Sequence, residues 1–113
     1  MKMLKEGEMA EHIMAVTTTG DEQSAVVLAR ALLERRIVAC VNIVPRVRSL
    51  YRWKGVIEDD AECVLLMKTR ADRYPALASA LDELHAYDVP ELIVLPIEQG
   101  SAAYLGWINE NVT

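Results

Sequence analysis

Histidine and cysteine, the side chains best suited to binding transition metals, are few in this chain, which contains two of each. His85 lies at the expected end of a helix and is followed by Asp88 and Glu91. Imidazole binds Cu(II), Ni(II) and Zn(II), so His85 is a candidate metal ligand, and further ligands would come from Cys40, Glu62, Glu91 or another chain. A histidine at a helix C-terminus also complements the helix dipole. The residues alone leave both interpretations open.

The two cysteines, Cys40 and Cys63, do not form a CxxC pair, which argues against a zinc ribbon or a thioredoxin-type redox site. If residues 54–55 are the turn of a hairpin, Cys40 lies opposite Thr69. Cys63 then lies opposite Arg46, roughly 20 Å away along the ribbon. That separation is too large for a disulfide, and we expect both cysteines to be small core residues.

Sequence motifs for nucleotide binding and hydrolysis are absent: the chain contains no GxxxxGK[ST], GxGxxG, GxSxG or HExxH. No activated serine or cysteine accompanies His85, so we expect a protein that is not an enzyme. The net charge of -5, without a basic tract, argues against a nucleic-acid partner. No apolar run approaches the ~18 residues of a membrane span. The N-terminus lacks the apolar region of a signal peptide, which predicts a cytoplasmic protein without a membrane partner.

The elements that would position these residues follow from hydrophobic periodicity. The predicted order is strand 12–19, helix to about residue 35, strand 37–53, strand 56–68, helix after residues 69–72, strand 91–97 and a short helix after residues 100–101. This βαββαβ order with an added C-terminal helix predicts an α+β, ferredoxin-like fold, in which two helices cover one face of a four-stranded antiparallel sheet. We expect residues 1–10 to be a flexible N-terminal tail and residues 11–113 to be a single domain.

The second and third strands would form an unusually long hairpin. They span about 12 to 17 residues each, while ~5–6 is typical. Pro45 removes one ladder donor and predicts a bulge or bend. The outer part carries Leu50, Tyr51 and Trp53, which would leave an apolar surface in water. We therefore predict an oligomer with a site shared between chains; the alternative is a monomer with a flexible hairpin arm.

Four side chains are candidates for the walls of a pocket or for the core of an interface, namely Tyr51, Trp53, Tyr87 and Glu91. Aromatic residues on an exposed ribbon are more often interface residues. Lys68 places a charge at the end of a largely apolar strand. It either pairs with a carboxylate or lines the same pocket.

Five segments, in this order along the chain, carry a family resemblance. They are ACVNIVP at 39–45, SLYRWKG at 49–55, LLMKT at 65–69, HAYDVPEL at 85–92 and YLGW at 104–107. Together they resemble the CutA family, the divalent-cation tolerance proteins, over about residues 12–110. The resemblance implies a ferredoxin-like subunit in a tight homotrimer joined by the long hairpins. It also implies a link to tolerance of copper and other divalent ions, and a fold similar to that of the PII signalling proteins.

The resemblance also implies where a metal would bind. Copper-binding members of the family use a cysteine on the first strand and two adjacent histidines at the exit of the second helix. The corresponding residues here are Thr17, Leu84 and His85. Only His85 is a metal-binding side chain, so it is the candidate ligand, and the expected binding of Cu(II) or another divalent cation is weak. No other cofactor is expected.

The rest of the family pattern is present and is expected at an intersubunit cleft or interface. Its members are Cys40, Tyr51, Trp53, Lys68, Tyr87 and Glu91. The expected function is therefore that of a cytoplasmic homotrimer in divalent metal ion (copper) tolerance, acting through weak metal binding. The alternative is a PII-like signalling or scaffold trimer that binds a small molecule or a partner protein in the cleft. The sequence does not identify a protein partner.

Overall fold

The computed structural model describes residues 10–113, so the tail predicted at residues 1–10 lies, apart from Ala10, outside the described residues. The elements are β1 His12–Thr19, α1 Glu22–Glu34, β2 Cys40–Trp53, β3 Val56–Arg70, a 3-10 turn Ala71–Arg73, α2 Tyr74–Leu84, β4 Ile93–Ile97 and α3 Ala102–Asn111. The sheet order is β2-β3-β1-β4 and all of its pairs are antiparallel. The predicted α+β, ferredoxin-like fold with a C-terminal helix is confirmed. No helix within residues 10–113 is long and apolar enough to cross a membrane.

The main core lies between one face of the sheet and helices α1 and α2. Alternate residues of the two central strands point into it, because side chains in a strand alternate between faces. The fully buried members are Ala15, Ala25, Leu32, Leu65, Met67 and Leu77. α3 lies against the opposite face, where Ile108 is buried. There His12 Nε2 forms a hydrogen bond of 2.9 Å with Asn109 Oδ1.

The β2–β3 hairpin contains a bulge at the predicted place. Its ladder shifts by one residue between Val44 and Val47, and Arg46 adopts a left-handed φ of 57°. Because of this shift Cys40 lies opposite Lys68, so the predicted pairing of Cys40 with Thr69 is wrong by one residue. Cys63 faces the bulge and has no ladder partner on β2. Both cysteines are free; Cys63 is buried as predicted for a core residue, whereas Cys40 is only half-buried.

The two outer strands are less covered than the sequence predicted. The apolar runs at 37–44 and 91–97 are typical of buried strands, the first of them covered on both faces. β4 instead leaves Ile93 54% and Leu95 46% exposed, and β2 begins only at Cys40 and is partly or fully exposed along its length. The physical reason is position: both are edge strands of the sheet, and the main core reaches β2 only near its start, at the partly buried Val41 and Ile43.

Candidate functional site

His85 connects the end of α2 to the end of β1. Its backbone N–H closes the helix on the carbonyl of Leu81 at 2.9 Å. Nε2 lies 2.7 Å from the Thr18 carbonyl, which only accepts, so Nε2 carries the proton and donates it. Nδ1 accepts the backbone N–H of Tyr87 at 3.1 Å. Both ring nitrogens of a neutral imidazole are therefore occupied, and a metal could bind His85 only by displacing one of these hydrogen bonds.

The residues that the family resemblance places at the copper site do not form a metal centre within one chain. Thr17 is fully buried, and its Oγ1 has no hydrogen-bond partner among residues 10–113. Leu84 packs against the main core. Nowhere in the described part of the chain do three or more His, Cys, Asp or Glu side chains gather as metal ligands. A metal at His85 would need ligands from another chain.

Two tyrosine–carboxylate pairs lie beside the loop that follows α2. Tyr87 Oη donates to Glu62 Oε2 at 2.7 Å, and Tyr51 Oη donates to Asp60 Oδ2 at 2.6 Å. Burial, followed by the bond to Glu62, raises the pKa of Tyr87. The bond to Asp60 is the largest cause that raises the pKa of Tyr51 to about 12. Both phenols stay protonated at neutral pH and act as hydrogen-bond donors.

These pairs border an open groove of about 790 Å³ between the hairpin and the loop that follows α2. Its walls are Thr18, Arg48, Ser49, Leu50, Tyr51, Trp53, Glu62, Ala86, Tyr87, Asp88, Val89 and Glu91. Arg48 is already paired with Asp59 through two hydrogen bonds of 2.9 and 2.7 Å. The remaining charged groups of the wall are carboxylates, so the groove is acidic with aromatic sides.

The structure brings together most of the residues that the sequence assigned to a cleft. Tyr51, Trp53, Tyr87 and Glu91 all line the groove. His85 lies next to it, on the wall of a smaller cavity of about 430 Å³ between the start of α1 and the end of α2. Its ring packs on that of Tyr87, with centroids 4.9 Å apart.

Cys40 and Lys68 lie elsewhere, near the other end of the β2–β3 ladder. Lys68 Nζ donates to Asn42 Oδ1, and the Cys40 sulfur lies 3.7 Å from the same oxygen. Neither residue lines the groove. The predicted set of cleft residues therefore divides into two groups within one chain.

Sequence reasoning did not single out Glu62, a groove residue that is only 8% exposed. It was one of several candidate metal ligands, without a reason to prefer it. A signal was present, because Glu62 stands between alanine and the run Cys63-Val64-Leu65 in a strand whose inner part is apolar. An acidic residue at such a position is uncommon unless it has a partner.

Comparison with known proteins identifies the family. The sequence profile described as CutA1 divalent ion tolerance protein matches residues 13–111. The divalent-cation tolerance protein CutA of Thermus thermophilus is 44% identical over 98 residues, which is 87% of this chain and 95% of that protein. Protein CutA of Mus musculus is 43% identical over 96 residues, or 85% of this chain. The chain spans about half (54%) of the length of the mouse protein.

Solved structures agree with the sequence relatives. The structure of the divalent cation tolerance protein (Cut A1) from Thermus thermophilus superposes with a TM-score of 0.87 at 42% identity, over 90% of this chain and 99% of that one. CutA1 from Oryza sativa gives a TM-score of 0.89 at 36% identity, over 93% and 96% of the two chains. The Thermus thermophilus protein is named for divalent cation tolerance, and the Oryza sativa protein carries the family name CutA1. The chain belongs to the CutA1 divalent ion tolerance protein family.

Proposed function

We propose that this protein acts in the tolerance of divalent cations, copper among them, as a homotrimer that binds the cation weakly at a subunit boundary. The family membership supports the role in tolerance. The observation that supports assembly is the apolar surface that one chain leaves in water. At the hairpin tip Leu50 and Ile57 are 64% and 65% exposed, and on β4 Ile93 is 54% exposed.

The position of these surfaces favours contacts between unlike edges. The β2 edge and the β4 edge stand at opposite sides of the sheet, and each has unpaired backbone groups that another strand could use. An interface between two different edges closes into a ring when the rotation between copies allows it. In such a ring the hairpin of one copy would cover β4 of the next, which is consistent with a trimer.

Weak cation binding follows from the state of His85. A metal at either ring nitrogen displaces a hydrogen bond, to the Thr18 carbonyl or from the Tyr87 amide. Net hydrogen bonds are worth about 0.5–1.5 kcal/mol, so this loss lowers the affinity without forbidding binding. Groups of a neighbouring copy would have to complete the ligand set, because no three candidate ligands gather within residues 10–113.

Native mass spectrometry of chelator-stripped protein, with and without one equivalent of Cu(II) per chain, tests both parts. We expect a trimer that takes up copper in proportion to its chains, and reduced uptake by His85→Ala. A monomer would contradict the assembly. Equal copper uptake by His85→Ala would remove that residue from the site. The double variant Thr17→Cys, Leu84→His provides the positive control, because it supplies the two ligand types that this chain lacks.

A second candidate function has its own observation, the groove of about 790 Å³. A cavity of this volume lies in the range of small-molecule sites, about 300–1,000 Å³. It favours a PII-like signalling or scaffold trimer that binds a small molecule or a partner protein there. Protection of the folded protein against heat by a ligand, without any bound metal, would distinguish this candidate from the first.

The proposed role is binding and not catalysis, and the proposed compartment is the cytoplasm. Tyr51 and Tyr87 have raised pKa values, which makes them poor acids or bases near neutral pH. The free thiols of Cys40 and Cys63 are typical of a reducing compartment. Cell fractionation tests the location, and recovery of the protein in an oxidising compartment would contradict it.

A further inference from the structure

Glu62 is a buried acid without a basic partner. It is 8% exposed, and one of its oxygens accepts the Tyr87 hydroxyl at 2.7 Å. The ion pairs within residues 10–113 join Arg35 to Glu83, Arg48 to Asp59 and Arg70 to Asp72, and none of them involves Glu62. The second oxygen of Glu62 accepts no hydrogen bond from the described residues, and it is not sealed from solvent, because the side chain lines the groove. A carboxylate in this position, without a basic partner, attracts a cation that enters the groove.

The surroundings of Glu62 show what kind of cation would fit. The rings of Tyr51, Trp53 and Tyr87 line the same groove, and aromatic faces attract organic cations. The groove holds about 790 Å³, far more than a single metal ion fills and within the range for small molecules. Arg48 does not neutralise the wall, because its charge is paired with Asp59, which accepts hydrogen bonds from Nε and Nη2 of the guanidinium.

We propose that the groove binds a small organic amine, with an ammonium group at Glu62 and an alkyl chain against the aromatic side chains. Asp88 and Glu91 line the same groove, so an amine with two ammonium groups matches the wall better than one with a single charge. Anionic ligands such as nucleotides are excluded by the same carboxylates. The inference deepens the second candidate function and rests on it, and it is independent of copper binding at His85.

Isothermal titration calorimetry of the assembled protein with 1,4-diaminobutane tests this inference. The matched probe is 1,4-butanediol, which has the same length but no charge. We expect saturable binding of the diamine and none of the diol. Glu62→Gln keeps an acceptor for Tyr87 but removes the charge, and we expect it to raise the Kd for the diamine at least tenfold. Glu34→Gln, an exposed change on α1 far from the groove, should leave the Kd unchanged.

Four results would overturn the proposal. They are no binding of the diamine at about 1 mM, equal binding of the diol, an unchanged Kd in Glu62→Gln, and a crystal structure in which a lysine or arginine of a neighbouring copy pairs with Glu62. If Glu62→Gln does not fold, Glu91→Gln replaces it, with an expected loss of affinity because it removes a second carboxylate of the groove wall. Copper uptake is read separately by native mass spectrometry, so the amine site and the metal site can fail independently.

Discussion

The inner and outer halves of the sheet differ in how much of their surface the chain itself covers. In the inner half, β1 and β3 bury Ala15, Leu65 and Met67 completely beneath α1 and α2. In the outer half, the hairpin tip and β4 leave large apolar side chains exposed. The sheet therefore has an inner half whose apolar side chains the chain itself buries and an outer half whose apolar side chains remain exposed. The comparison supports the proposal that one chain is enough for the fold, while other copies or ligands complete the functional surfaces.

The largest expected effect on stability comes from a substitution in the inner half of the sheet. Leu65→Ala removes a fully buried side chain from the centre of the sheet, which should lower the free energy of unfolding by about 2–5 kcal/mol. Leu50→Ala, at the exposed tip, is the matched control and should change the stability of a single folded chain by less than about 0.5 kcal/mol. Urea unfolding at a protein concentration low enough to keep the chains monomeric measures both, because Leu50 belongs to the proposed interface. Similar losses for the two variants would show that the halves do not differ as described.

The next largest expected effect is on assembly and concerns the outer half of the sheet. Trp53 is 42% exposed at the hairpin tip, and buried interface tryptophans often contribute about 2 kcal/mol or more to assembly. Trp53→Ala should therefore dissociate the proposed trimer at concentrations where the unmodified protein remains assembled, while the circular dichroism of the chain is kept. Mass photometry at nanomolar concentration measures this. Val27→Ala, which truncates a side chain 63% exposed on α1, should have no effect on assembly.

Retention of the trimer by Trp53→Ala at nanomolar concentration would place the interface elsewhere. Loss of assembly in Val27→Ala as well would indicate that any exposed apolar truncation weakens it. Either outcome would remove the special status of the hairpin tip.

The inner half of the sheet was better predicted from the sequence than the outer half, for physical reasons. Local patterns determine strand and helix positions, so the element order and the bulge near Pro45 were predictable. The apolar sequence of β4 is typical of a buried strand, and hydrophobicity alone does not distinguish burial within one chain from burial against another copy in the proposed assembly. The groove depends on Glu62 meeting Tyr87 across 25 positions of sequence, and no local pattern reports such a contact.

A smaller effect on stability tests how completely the buried polar groups of the inner half are hydrogen-bonded. Thr17 and Thr69 are both completely buried, but Thr17 Oγ1 has no hydrogen-bond partner among the described residues, whereas Thr69 Oγ1 donates to the Ile37 carbonyl at 2.6 Å. Thr17→Val removes an unsatisfied group and should stabilise the protein by about 1 kcal/mol. The same change at Thr69 leaves a buried carbonyl unpaired and should cost about 1–3 kcal/mol. Thermal unfolding with the two variants in parallel measures the difference, and effects of equal sign would contradict the assignment.

The smallest effect is a pH dependence confined to the outer half. The Asp60 partner raises the pKa of Tyr51 from its ordinary value of 10.0 to about 12 in the folded chain. A phenol whose pKa is higher in the folded state contributes stability that is complete below the ordinary value and is lost as the pH rises through the folded value. The stabilisation from Tyr51 should therefore decline between pH 10 and about 12, because the unfolded chain ionises first. Tyr51→Phe should show a shallower decline in its urea midpoint across that window.

Tyr74→Phe is the appropriate control for this pH dependence, because Tyr74 has no carboxylate partner among the described residues and is 41% exposed, as is Tyr51. The difference between the two variants cancels the titration of lysines, which ionise in the same range. If the midpoints of both variants run parallel across that window, the bond between Tyr51 and Asp60 does not persist in solution. In that case the tyrosine of the groove wall would be free to turn toward a ligand, and the outer half would be even less complete than the folded chain shows.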